Sequence, residues 1–213
     1  MLRWGLGREL EDVITMDMVS YLRTSHASVC NLSVPGATAE DDLANQVTDY
    51  LCSRNKSSTS TNPKEDNYVF FFGINDCGNT EECLLSDIVE NIIQYADRLY
   101  SEAGARKFIF IDVPPIDRSP GGLGRGTDTL KSRVDTWNEE LRNQVSQFIE
   151  DTPTATVSRF SIHGLLSAIL DDPEGYDFTE SDSTEEGGAI WADELHLTSE
   201  VHKIIFEQVS GFI

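Results

Sequence analysis

Positive charge is scarce in this sequence. The 213 residues include 16 lysines and arginines against 37 aspartates and glutamates, which gives a formal net charge of −21 at pH 7. A chain with this balance repels the phosphates of nucleic acids and the headgroups of anionic membranes. We therefore expect no nucleic-acid partner and no anionic membrane surface, and the simplest use of the excess charge is an acidic, solubilising exterior.

Long apolar runs are also missing. No stretch approaches the roughly 20 apolar residues that a membrane-spanning helix needs. Residues 1–7 contain a positive charge, but they lack the apolar core of a secretory signal peptide. The sequence thus predicts no membrane span and shows no recognisable signal peptide.

Cysteine is rare, and the spacing of the few cysteines excludes one kind of site. There are four, and no two have the C-x-x-C spacing of structural zinc sites. No metal and no cofactor is predicted. An even number permits two disulfides, and Cys77 and Cys83 flank a short polar loop that a disulfide could close. Reduced thiols are the alternative, and the sequence leaves this choice open.

Short apolar runs alternate along the chain with segments of helical periodicity. At 213 residues and 39% hydrophobic content, the chain is long enough for one domain with a substantial core, residues 1–213. The alternation predicts an α/β fold, a three-layer α/β/α sandwich around a parallel sheet. The predicted strands cover residues 28–34, 67–73, 107–113 and 154–160.

A polar motif follows the second of these strands. Residues 73–76 read Gly-Ile-Asn-Asp, directly after five apolar or aromatic residues. Ligands of parallel α/β sheets bind at the carboxyl ends of the strands, so Asn75 presents a side-chain amide where an oxyanion can develop. Gly73 permits close backbone approach beside it. The alternative is an Asx turn in which Asn75 caps its own backbone.

A carboxylate and an imidazole occur three positions apart near the C-terminus, at Asp193 and His196. A histidine that acts as a general base needs a carboxylate to orient it, and this spacing brings the two within reach. Gly36, after the first predicted strand, can offer a backbone N–H to the same oxyanion, although turns require glycine for other reasons. The glycine-rich residues 119–127 lack a following Gly-Lys-Ser/Thr, so we interpret them as a flexible loop at the rim rather than a phosphate site.

Taken in order, these motifs resemble the GDSL-type esterases and lipases of the SGNH hydrolase superfamily. The second family block resembles residues 31–38, the third residues 73–76 and the fifth residues 193–198, within a similarity that spans about residues 17–213. The resemblance implies the SGNH hydrolase fold, with a flavodoxin-like parallel sheet whose first strand is missing here.

The same resemblance implies hydrolysis of esters, in particular the removal of acetyl or other small acyl groups from carbohydrates. It assigns His196 as the base and Asp193 as the group that orients it. Gly36 and Asn75 become the oxyanion donors, and Gly73 and Asp76 support them. It also implies a secreted protein that works without a cofactor, and we expect a monomer.

The nucleophile of that family is not found in the sequence. No Gly-Asp-Ser occurs before Gly36, and no serine there stands in a nucleophile context. We interpret the chain as N-terminally truncated and expect it to hydrolyse activated acetyl esters poorly or not at all. The alternative is a non-catalytic relative that binds an ester or a sugar, or a non-functional fragment. The serines concerned are Ser20, Ser25, Ser28 and Ser33.

Overall fold

Three parallel strands form the sheet of the described residues. The structure is a computed structural model, and it describes Tyr21 and residues 29–54, 62–124 and 127–212. Neighbouring strands pair in parallel in the order β1-β2-β3, and three of the four predicted strands are thus confirmed. They are β1 (Asn67–Phe71), β2 (Lys107–Ile111) and β3 (Thr156–Phe160).

Helices connect the strands and cover the sheet. In the part of the chain that the structure describes, no helix has the length and apolarity needed to cross a membrane. Shorter 3₁₀ or π turns follow or precede several of the helices. The α-helices are α1 (Leu43–Arg54), α2 (Ile74–Asn79), α3 (Leu85–Arg98), α4 (Pro120–Gly124), α5 (Thr127–Asp151), α6 (Ile162–Asp171) and α7 (Ser199–Val209).

The two faces of the sheet have separate cores. Successive side chains of a strand point to opposite faces, so the continuous apolar run of β1 supplies both cores. Tyr68 and Phe70 pack with α1, α3 and α5 on one face, whereas Val69 and Phe71 pack with α6 and α7 on the other. The result is the predicted three-layer α/β/α sandwich.

Local sequence signals explain where several helices begin and end. The apolar stripe of α3 continues through a π turn and stops at Gly104, whose φ of +76° suits glycine. Helix α7 begins after Thr198, and the Thr198 hydroxyl accepts a hydrogen bond from the backbone N–H of Val201.

The predicted strand over residues 28–34 is not observed. Ser28 lies outside the described residues, and residues 29–34 have no strand conformation. The Asn31 side chain instead accepts hydrogen bonds from the backbone N–H and the hydroxyl of Ser33, a local turn that competes with sheet pairing. Val34 is exposed, and Val29 and Leu32 are only partly buried against the two cores.

The disulfide that Cys77 and Cys83 could have formed is also not observed. The Cys77 thiol is buried and contacts the carbonyl of Arg133, at 3.7 Å. Cys83 is exposed, and its thiol contacts the Glu81 carboxylate at 3.9 Å. Both cysteines therefore remain thiols.

Candidate active site

Asp193 and His196 form a hydrogen-bonded pair in the loop before α7. Nδ1 of His196 lies 2.6 Å from Oδ2 of Asp193. The other carboxylate oxygen accepts the backbone N–H groups of Leu195, at 2.8 Å, and of His196, at 2.7 Å. One carboxylate thus fixes both the loop backbone and the orientation of the imidazole ring.

The surroundings of the pair keep the Asp193 carboxylate ionised. Partial burial by itself raises its pKa, but hydrogen bonds from the backbone N–H and the ring of His196, and from Leu195, hold the pKa below its ordinary value. The His196 and Asp193 side chains are 21% and 18% exposed, so the pair is shielded and still accessible. A carboxylate bound at Nδ1 leaves Nε2 as the nitrogen that can exchange a proton with a substrate or a nucleophile.

Asn75 lies in the first turn of α2, directly beyond the end of β1. Its side-chain Nδ2 donates to the backbone carbonyl of Ala37 at 3.1 Å, across 38 residues of sequence. The amide thus reaches across to another segment of the chain. An amide nitrogen has two hydrogens, and this bond engages one of them.

Gly36 occupies a tight turn next to this contact. The backbone N–H of Ala37 donates to the carbonyl of Val34 at 3.1 Å, with Pro35 and Gly36 at the two central positions. Gly36 has a φ of +68°, which suits the third position of a type II turn. The two predicted oxyanion donors, Gly36 and Asn75, are therefore held close in space through Ala37.

Asp76 also connects α2 with the segment that follows Gly36. Its side chain is fully buried, and its oxygens accept the backbone N–H of Ala39 at 3.0 and 3.2 Å and that of Glu40 at 3.4 Å. Burial raises the pKa of Asp76 to about 6, against the opposing effect of the Ala39 and Glu40 hydrogen bonds. Asp76 thereby anchors the segment that follows Gly36 to α2.

Position 73 has no room for a residue larger than glycine. Its φ is +116°, and a Cβ atom there would lie 2.3 Å from Cε2 of Trp137 and 2.5 Å from Cγ2 of Val113. The indole ring of Trp137 is fully buried against this backbone. Helix α5, which carries Trp137, thus helps to place the turn that leads into Asn75.

The residue after Trp137 fastens α5 to the end of β2. The Asn138 side chain accepts the backbone N–H of Val113 at 2.8 Å and donates to the carbonyl of Val113 at 2.9 Å. Sequence reasoning assigned no role to Trp137 or Asn138. The available signal was an aromatic residue beside an amide in a helical stripe, which does not show what either side chain contacts.

A cavity of about 240 Å³ adjoins Asn75. Its lining includes Glu194 and Leu195 from the loop of the Asp193–His196 pair, but neither Gly36 nor His196. The other lining residues are Ile74, Gly78, Asn79, Ile116, Ser119, Gly121, Gly122, Thr129, Leu130 and Arg133.

The rim of this cavity is ordered where a flexible loop was predicted. Residues 120–124 form the short helix α4, and the backbone N–H of Gly121 donates to the carbonyl of Glu194 at 2.7 Å. A Cβ atom on Gly121 would lie 2.9 Å from that carbonyl oxygen, so glycine permits the contact. The prediction of a flexible loop is therefore wrong for this part of residues 119–127, and residues 125–126 lie outside the described residues.

Comparison with known proteins identifies the family. Residues 2–209 match the family described as GDSL-like Lipase/Acylhydrolase. The chain belongs to this family. An acetylesterase of Thermothelomyces thermophilus is 27% identical over 158 residues, which make up 68% of this chain and 52% of that relative. The chain thus spans about half the length of the curated relative that it matches.

Family membership confirms the resemblance that the sequence motifs indicated, but the nucleophile of this GDSL-family chain remains unassigned. Ser20, Ser25 and Ser28 lie outside the described residues. The Ser33 hydroxyl contacts the side chain of Asn31, two residues away. The buried Ser119 hydroxyl donates to the carbonyl of Ile116 and accepts the N–H of Gly122, as part of a turn.

No group of three or more histidine, cysteine, aspartate or glutamate side chains is arranged to hold a metal ion within residues 29–54, 62–124 and 127–212. The polar groups described above are those of acid–base chemistry and oxyanion binding: an imidazole, the carboxylate that orients it and an amide donor.

Proposed function

We propose that this GDSL-family chain supplies the base and the oxyanion donors of an ester hydrolase that removes small acyl groups, principally acetyl, from carbohydrates. The observation that carries the proposal is the 2.6 Å hydrogen bond between His196 Nδ1 and Asp193 Oδ2. An acetylesterase among the relatives supports the choice of a small acyl group.

His196 is the general base in the proposed reaction. Its Nε2 accepts the proton of a serine hydroxyl as that oxygen attacks the ester carbonyl, and later returns the proton to the departing alcohol oxygen. Asp193 remains ionised throughout and stabilises the imidazolium that forms. Water then repeats the sequence on the acyl-enzyme and releases the carboxylic acid.

Asn75 and Gly36 are the proposed oxyanion donors. The negative charge that develops on the carbonyl oxygen is stabilised by the Asn75 side-chain amide and the Gly36 backbone N–H. One such donor contributes roughly 3 kcal/mol to the stability of the transition state in other hydrolases. The contacts of Ala37 with Asn75, and of Ala39 with Asp76, support this assignment because they hold both donors in place before the substrate arrives.

The family and the charge also support a proposal about where the protein works and in what form. We propose a single domain over residues 1–213 that acts as a secreted monomer. The net charge of −21 supports a substrate other than nucleic acid.

Because no nucleophilic serine is assigned in this chain, the test supplies one. Two chains are compared by fluorophosphonate labelling and by hydrolysis of p-nitrophenyl acetate: the chain as given, and one preceded by a strand that ends in Gly-Asp-Ser. We expect the second chain to be labelled at its added serine and to lose activity on His196→Ala. We expect little or no labelling of the chain as given. Failure of every serine-bearing chain to react, although folded, would contradict the proposal.

The absence of Gly-Asp-Ser before Gly36 favours one second candidate, a non-catalytic relative that binds an ester or a sugar. Such a protein would bind acetylated sugars without turnover, and His196→Ala would leave that binding unchanged. Stoichiometric labelling of the chain as given at one of its own serines would exclude this candidate and would identify the nucleophile.

A further inference from the structure

Arg133 has no acidic partner among the residues that the structure describes. This arginine of α5 is half-buried, and none of the ion pairs among the described residues involves it. Its Nη1 donates to the backbone carbonyl of Cys77 at 3.3 Å, and its Nε is buried without a hydrogen-bond partner in the described structure. An arginine left unpaired is unexpected in a chain where acidic residues outnumber basic ones 37 to 16.

The carbonyl of Cys77 uses only part of the hydrogen-bonding capacity of the Arg133 guanidinium. Arginine has five N–H donors in a planar fork, and this contact engages one of them. The contact also shows how Arg133 is held, because the Cys77 thiol contacts the carbonyl of Arg133 in return. Helix α2 and helix α5 are thus fastened to each other beside the guanidinium.

Arg133 lines the cavity beside Asn75. Polar side chains contribute at least as much of the lining as apolar ones do, so the cavity suits a polar ligand. Glu194 is the one carboxylate residue of the lining, and no ion pair joins it to Arg133 in the described structure. The apolar lining residues are Ile74, Ile116, Leu130 and Leu195.

We propose that Arg133 binds a carboxylate of the substrate in this cavity, so that the ester is carried by an acidic sugar of the uronate class. A guanidinium fork matches the two oxygens of a carboxylate and compensates the unpaired charge. Because Asn75 lines the same cavity, the carboxylate and the ester carbonyl would be held at neighbouring positions. The assignment of the ester rests on the proposed function, whereas carboxylate binding at Arg133 can be measured independently.

The net charge of the chain disfavours nonspecific binding of a carboxylate. A chain with a net charge of −21 repels carboxylates at long range. Among the described residues that line the cavity, Arg133 is the one cation, so binding of a small carboxylate there depends on Arg133. Loss of that one cation should abolish most of the affinity rather than a fraction of it.

The experiment is a ¹H–¹⁵N NMR titration of the chain as given with glucuronate, and with glucose as the neutral sugar of the same ring size. We expect saturable shifts of cavity amides such as Gly78, Gly121 and Thr129 with glucuronate, and no saturable shifts with glucose. Arg133→Gln should raise the Kd for glucuronate about tenfold or more, because a charge-assisted pair is lost. Arg142→Gln, which removes a cation from an exposed position of the same helix, should leave the Kd unchanged.

A second variant at the same position distinguishes loss of the charge from loss of the fold. Arg133→Lys keeps the charge but loses the planar fork, and we expect it to retain the preference for glucuronate over glucose with weaker affinity. Equal binding of glucose and glucuronate by the unmodified chain, no binding of glucuronate, or an unchanged Kd in folded Arg133→Gln would each overturn the proposal.

The two proposals fail in different ways. Glucuronate binding that depends on Arg133, together with serine-bearing chains that never hydrolyse an ester, would leave the carboxylate site standing and remove the esterase. Ester hydrolysis that depends on His196, without any preference for glucuronate over glucose, would do the opposite.

Discussion

The buried carboxylate of Asp76 accepts the backbone N–H of Ala39 at 3.0 Å, across 37 residues of sequence. Through this bond, the segment that follows the Gly36 turn is held against the helix that carries Asn75. The bond therefore links the segments that carry the two proposed oxyanion donors, Gly36 and Asn75. We therefore propose that Asp76 is a positioning residue, and its protonation can be tested separately from catalysis.

The ionisation of Asp76 should make stability depend on pH. Its pKa is raised from 3.8 to about 6 in the folded chain, so the folded state holds this proton more tightly than the unfolded state does. The resulting stabilisation is fully present below about pH 4 and is lost as the pH rises through about 6, with a total of the order of 3 kcal/mol.

Urea unfolding at intervals between pH 4 and pH 7 tests this prediction for the unmodified chain and for Asp76→Asn. The variant cannot ionise at this position, so the unmodified chain should lose stability relative to the variant as the pH rises. Asp87→Asn, at an exposed position of α3, is the matched control and should follow the unmodified chain. A stability difference between Asp76→Asn and the unmodified chain that does not change with pH would refute the raised pKa.

The close contact of Gly73 with Trp137 predicts a severe effect of one added methyl group. Gly73→Ala places Cβ 2.3 Å from the buried indole in a backbone conformation that alanine avoids, and we expect a loss of about 3 kcal/mol or more in the free energy of unfolding. Urea unfolding followed by tryptophan fluorescence measures it.

Gly104→Ala is the control for backbone strain alone. Gly104 has a φ of +76°, but no atom lies within 4 Å of the Cβ position. We therefore expect a loss of about 1–2 kcal/mol. Equal losses in the two variants would mean that Trp137 yields easily and that the contact with Gly73 is not tight.

The Asn138 side chain should stabilise the end of β2. Asn138→Ala leaves both the N–H and the carbonyl of Val113 without their present partner, and we expect a loss of about 2–4 kcal/mol in the free energy of unfolding. Asn143→Ala, at an exposed position of the same helix, should change the free energy by less than about 0.5 kcal/mol. A urea midpoint for Asn138→Ala equal to that of the control would show that the paired hydrogen bonds add nothing.

Asp193→Asn separates orientation of the base from its presence. The asparagine can keep the shape of the loop, but it no longer favours the His196 tautomer whose Nε2 accepts a proton. In a serine-bearing chain, we expect kcat for p-nitrophenyl acetate to fall by about 10⁴, with little change in KM. Stopped assays at high enzyme concentration measure the residual rate, and Asp87→Asn serves again as the exposed control. Retention of most of kcat would show that His196 does not need Asp193.

The layered fold could be predicted because its signals are local. Each buried strand is a short apolar run, and each covering helix has an apolar stripe, so the alternation along the chain is visible without any contact. The segment at residues 29–34 was misjudged for the complementary reason. Its composition suits a strand, but the Asn31 side chain bonds with Ser33 and turns the backbone away from a sheet.

The candidate site likewise contains parts that local sequence predicts and parts that depend on long-range contacts. The sequence by itself determined the Asp193–His196 pair, because a carboxylate three residues before an imidazole can reach it within one loop whatever the rest of the chain does. Only the tertiary structure decided which segments surround Asn75. Its contact with Ala37 and that of Asp76 with Ala39 cross 38 and 37 residues. The unpaired Arg133 was equally hidden, since spacing within a helix does not say which cavity the helix will line.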